Sequence, residues 1–112
     1  MNSAIKNRRH PRIPLSLPVI LMTPQGPIKG ETSNISVGGA LILCSVTIEI
    51  DDEFQIILKP SKDYEMSVTC EKVWSGDFNT NGFLFNGMDI RFIEISAGNY
   101  EIIASLIDKK HP

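Results

Sequence analysis

A small antiparallel sandwich or barrel, closed by one terminal helix, is the fold this sequence predicts, and three observations predict it. Short apolar runs with period-two alternation recur from Pro18 to Ile95, each closed by Gly, Pro, Asn or Asp. Only the tail, from Ser96, changes to three- and four-residue apolar spacing. The length, 112 residues, suits one domain with one core.

The elements follow in order. Pro11, Pro14 and Pro18 forbid helix and remove ladder donors, so residues 1–16 are expected to form a flexible N-terminal arm ahead of a barrel over 17–112. PVILMT (18–23) reads as a strand, closed by the turn residues of PQGP (24–27). IKGETSNI (28–35) is a second, more polar strand; SVGG turns the chain into ALILCSV (40–46), a third. EFQIILK (53–59) is the fourth, and PSKD turns again. YEMSVTCEKVW (64–74) is the fifth. Val68, Cys70 and Trp74 share one phase there, and Lys72 breaks it, which predicts a bulge or a rim position. SGDFNTNG (75–82) reads as a loop, and MDIRFIEI (88–95) as the sixth strand with Met88, Ile90 and Phe92 on one face. Ser96 is the expected N-cap of the helix, whose apolar stripe is Tyr100, Ile103, Ala104 and Ile107, widened by Ile102 and Leu106. Lys109 and Lys110 complement the dipole of its last turn.

Composition excludes several classes. No apolar run approaches the length that spans a bilayer, and no apolar stretch follows the basic head as in a secretory signal, so a cytoplasmic protein without membrane insertion is expected. Cys44 and Cys70 lie in strand-like runs and read as small buried hydrophobes, not as a disulfide. His10 and His111 have no metal-ligand spacing to any other residue, so no metal is expected. No nucleophile elbow and no phosphate-cradling glycine loop before a helix is present, so the protein reads as a non-enzyme without a cofactor. Asn34-Ile35-Ser36 matches a glycosylation sequon by chance.

The net charge of -2 conceals an asymmetry: residues 1–30 carry +5 and no Asp or Glu, and the remainder carries -7. A basic head on an acidic body indicates a local anion site. Arg8, Arg9 and Arg12 have no carboxylate near them in the sequence. A guanidinium fork binds phosphate or the O6/N7 edge of guanine bidentately, and its face stacks on bases. In SNISVGGAL (33–41), Asn34 and Ser36 offer short polar side chains, and Gly38 and Gly39 allow positive φ or a close approach to the backbone.

The two stretches together, RxxxR at Arg8–Arg12 and NxSxxG at Asn34–Gly39, resemble the signature of the PilZ domain family, which binds the bacterial second messenger cyclic di-GMP. RIPLSLPV, NISVGGAL, EKVW and GMDIRFIEIS extend the resemblance over nearly the whole chain. It implies a six-stranded antiparallel β-barrel of split-barrel type with a C-terminal helix. It also implies a regulatory receptor whose partners are cyclic di-GMP and a downstream protein, with no DNA. Carried over by residue, Arg8 and Arg12 would grip guanine edges and phosphate oxygens, and Asn34 and Ser36 would hold a guanine edge. Gly39 would leave room for the ligand. Arg9, Gly38 and Trp74 would be secondary contacts, Trp74 by lending an aromatic face. Two departures stand out: Asn7 replaces an Arg that many relatives use to hold an intercalated ligand dimer, and Asn34 replaces the commoner Asp, which removes a charge that could pair with an arginine. The alternatives are a module of the same fold that does not use the ligand site and a small single-stranded nucleic-acid binder. The latter would need aromatic stacking platforms beside the basic residues.

Overall fold

The computed structural model describes residues 11–110. Seven strands are present: β1 (Ile13–Pro14), β2 (Pro18–Thr23), β3 (Gly26–Ile35), β4 (Gly39–Cys44), β5 (Glu53–Ser61), β6 (Tyr64–Thr80) and β7 (Phe83–Glu94), followed by helix α1 (Ala97–Lys110). The antiparallel order β3-β2-β5-β6-β7-β4 closes on itself through β3–β4 pairing. The result is a closed six-stranded barrel. Val19, Leu21, Ile35, Ala40, Ile42, Ile56, Leu58, Met66, Val68, Cys70, Met88 and Ile90 fill it, all from one phase of their strands.

The short strand β1 extends the edge that β2 leaves open. β2 covers β3 from Gly26 to Glu31, and β1 then pairs Ile13 with Ile35 and Pro14 with Asn34. Pro14 and Pro18 prevent one continuous strand, and Thr32 bridges the break. Its hydroxyl donates to the Leu15 carbonyl at 2.6 Å and accepts from the Leu17 amide at 2.8 Å, while its own amide donates to the Leu17 carbonyl at 3.0 Å. Ile13 and Leu17 are buried. The segment from Ile13 to Ser16, part of the stretch expected to be a flexible arm, is therefore held on the barrel wall; residues 1–10 lie outside the described residues.

Two further expectations change. The stretch 75–82 is not a loop: β6 continues to Thr80 and a two-residue turn at Asn81-Gly82 leads directly into β7. Asn81 has φ 51° and Gly82 has φ 81°, both positive, as the turn that matches the twist of a hairpin requires. In α1 the stripe packed on the barrel is the buried Ile103 with the partly buried Ile102, Leu106 and Ile107, and Tyr100 is exposed. The Ser96 hydroxyl caps the helix by accepting from the Asn99 amide at 3.1 Å. Among the described residues, no helix is long and apolar enough to cross a membrane.

Cys44 and Cys70 are both unbridged and buried. Burial pushes the Cys44 thiol up from the ordinary 9.0 to about 11 and the Cys70 thiol up to about 12. Raised folded values mean that the unfolded chain loses these protons first as pH rises. The stabilisation is thus complete below about pH 9 and declines above it. Both thiols are expected to resist an alkylating reagent at pH 8 in the native protein and to react readily in denaturant. Rapid native labelling of either would show that the barrel wall opens there.

Candidate functional site

β-Bulges build the site. In β3, inward residues alternate through Ile28, Gly30 and Thr32, which would send Asn34 inward too. The register against β4 shifts between Thr32 and Asn34, so Ser33 is the extra residue, Ile35 takes the inward place and Asn34 is half-buried on the wall. In β6, the register against β7 shifts between Lys72 and Trp74, so Val73 is the extra residue. Trp74 therefore leaves the phase of Val68 and Cys70 and is 47% exposed, which corrects its expected place on their face. The bulge that Lys72 signalled is present.

The two shifts set one outward row across four strands: Asn34 opposite Leu41, Leu41 opposite Asp89, and Asp89 opposite Trp74. Pro14 continues the row beyond Asn34, which brings Arg12 to it. Arg12 Nη1 donates to Asn34 Oδ1 at 3.5 Å and forms an ion pair with Asp89, while Nη2 donates to the Ile90 carbonyl at 3.3 Å. The carboxylate that the sequence around Arg12 lacks is supplied by Asp89. This partner lies 77 residues away in sequence and is brought close by barrel closure.

The NxSxxG turn joins β3 to β4. Ser36 is buried, and its hydroxyl accepts from the Gly38 amide at 3.0 Å, while its amide donates to the Gly39 carbonyl at 2.8 Å. The Gly38 carbonyl accepts from the Phe92 amide at 2.9 Å, which ties the turn to β7. Neither Gly38 nor Gly39 has positive φ. Gly39 is instead a close-approach position: a Cβ there would lie 2.2 Å from the Ile90 carbonyl oxygen and 3.1 Å from Arg12 Nη2. The space it leaves is filled by β7 and by the arginine.

Beyond the row, Trp74 lies across Gly76, where a Cβ would fall 2.6 Å from the indole ring, and Phe78 lies across Gly87. The two rings sit 5.5 Å apart at 33°, forming a short aromatic strip next to Asp89. Arg91, on the same phase as Asp89, pairs with Glu71. Arg8 and Arg9 lie outside the described residues. Among the described residues, no group of three His, Cys, Asp or Glu side chains lies together as a metal site would need.

Sequence reasoning missed Asp89. Its signal was an acidic residue on the outward phase of GMDIRF, beside Met88 and Ile90 on the inward phase.

A closed barrel whose outer wall gathers an arginine–aspartate pair, an amide, a glycine turn and an aromatic face defines the class: a six-stranded antiparallel β-barrel with a polar and aromatic row on its wall. The PilZ domain family model matches residues 6–109, and the chain belongs to that family. Its fold is similar to the PilZ domain of YcgR from Escherichia coli with c-di-GMP, at 14% identity and a TM-score of 0.77, over 92% of this chain and 90% of that one. Bacillus subtilis MotI/DgrA, an inhibitor of motility, matches at 16% identity and a TM-score of 0.75, over 93% of this chain and 50% of that one. The MrkH–c-di-GMP complex from K. pneumonia matches at 14% identity and a TM-score of 0.77, over 90% of this chain and 51% of that one. The chain thus spans about half the length of MotI/DgrA and MrkH. No curated protein sequence matches.

The contacts give Arg12 and Ser36 a share in stability. Arg12→Ala removes the cation from beside a largely covered carboxylate and is expected to lower unfolding free energy by about 1–3 kcal/mol, less than a fully buried pair because both groups keep some solvent. Ser36→Ala leaves the Gly38 amide unsatisfied and is expected to cost about 1–2 kcal/mol. Denaturant unfolding of each variant checks both values; two unchanged midpoints would contradict the contacts described.

Proposed function

We propose that this protein is a cytoplasmic cyclic di-GMP receptor that changes its surface on binding and thereby signals to a protein partner, without catalysis. Membership of the PilZ family supports the ligand class, and YcgR and MrkH are similar in fold and have structures with c-di-GMP. The single observation that carries the reading is that Arg12, the second arginine of RxxxR, reaches Asn34, the first residue of NxSxxG, on one outward patch.

In this reading Arg12 grips a guanine O6/N7 edge or a phosphate oxygen through its fork. Arg8 and Arg9 add phosphate and guanine contacts from the arm, which closes over the bound dinucleotide. Asn34 has both a donor and an acceptor and holds a guanine edge. Ser36 contributes by fixing the turn that presents Gly38 and Gly39. Trp74 offers an exposed ring for stacking at the other end of the row. Arm, ligand and barrel wall then form a composite surface for the protein partner. The Arg12–Asp89 pair favours a second reading, a PilZ module whose arginine has a purely structural role.

Calorimetric titration separates the two. Cyclic di-GMP is expected to bind at least tenfold more tightly than GTP or a short single-stranded oligonucleotide. Arg12→Ala is expected to weaken cyclic di-GMP binding by about 2–5 kcal/mol, since it strips a charge-assisted contact from the ligand. Absence of binding would favour the structural module, and equal binding of the oligonucleotide would favour a nucleic-acid binder.

A further inference from the structure

The outward row carries a carboxylate that neither motif contains. Asp89 stands on β7 between Leu41 and Trp74 and forms the ion pair with Arg12 Nη1. Both side chains are largely covered, Arg12 at 10% and Asp89 at 18% exposure. A guanidinium held there is directed at protein acceptors, and covered charges interact across a medium less screening than water.

On the function proposed above, we infer that Asp89 sets the affinity of the site by competing with the ligand's anionic oxygens for Arg12. A dianionic dinucleotide that engages Arg12 has two routes. It displaces the Asp89 oxygen from Nη1, or it brings a second anion beside a carboxylate already there; each route costs affinity. Holding Arg12 in place does not require the charge of Asp89. Asn34 Oδ1 and the Ile90 carbonyl are neutral acceptors on the same guanidinium, and β1 fixes the backbone one residue on. The carboxylate therefore acts as a latch. The fraction of molecules with Arg12 released multiplies the intrinsic affinity, so a latch closed in nine molecules of ten weakens binding about tenfold.

The latch resides in one charge, and Asp89→Asn removes that charge while keeping the shape and an acceptor oxygen for Nη1. The full-length variant is expected to bind cyclic di-GMP about tenfold more tightly than the wild type, with a lowered Tm because the ion pair is gone. In the Arg12→Ala background the same change is expected to alter affinity much less than it does in the wild type, since the cation that the latch holds is gone. If Asp89→Asn does not fold, Asp89→Ser, which also carries no charge at this outward strand position, is expected to tighten binding likewise. Wild-type binding with an unchanged or weaker Kd in the uncharged variant would overturn the latch and leave the receptor reading intact. Absence of binding by both proteins would overturn the receptor reading, and the latch with it.

Discussion

A closed sheet divides its residues into an inside and an outside, and a strand can change that assignment only by gaining or losing a residue. Everything at this site depends on that constraint. Ser33 and Val73 are extra residues in β3 and β6, and each turns the next polar or aromatic side chain away from the core. Without the first, Asn34 would fall on the phase of Thr32, facing a largely apolar core. Without the second, Trp74 would compete with Cys70 and Val68 for a core that is already full. The bulges reconcile a well-packed interior with a polar and aromatic row on the wall, and they do so on strands, where positions are held better than on loops.

The same closure explains how a charge pair is made between residues 12 and 89. β3–β4 pairing completes the ring, β4–β7 pairing sets Leu41 opposite Asp89, and β1 on β3 delivers Arg12 to the same place. Thr32 is the device that permits this delivery. It satisfies the backbone of Leu15 and Leu17 where two prolines interrupt the ladder, so the chain can bend and still remain on the wall. Arg12 thus stands where a strand-like segment ends, anchored at Ile13 and Leu17 by burial.

Much of this was legible in the sequence. Period-two patterning marks the six long strands because each has one face in the core, and the change to helical spacing at Ser96 marks α1. The Asn-Ser-Gly motif marks the turn beside which Arg12 stands. What escaped has physical causes. A bulge shifts phase without changing composition, so Trp74 read as a continuation of Val68 and Cys70. The extension of β6 from Ser75 to Thr80 is polar apart from Phe78 because it projects past the core, and only Asn81-Gly82 betrays its turn. Asp89 is a single residue whose meaning comes from neighbours on other strands. Tyr100 fits the helical period, yet the helix turns a different edge, through Ile102 and Leu106, to the barrel.

The proposed receptor takes its ligand on the outward row beside the turn from Asn34 to Gly39. Backbone amide shifts of the isotope-labelled protein, followed by NMR during titration with cyclic di-GMP, test it most directly. The largest changes are expected at Arg12, Asn34, Ser36 to Gly39 and Asp89, with smaller ones at Trp74 and little at Asn81-Gly82 or in α1. Changes centred instead on the hairpin tip, or on the shallow hollow lined by Lys29, Leu43 and Phe85, would contradict it.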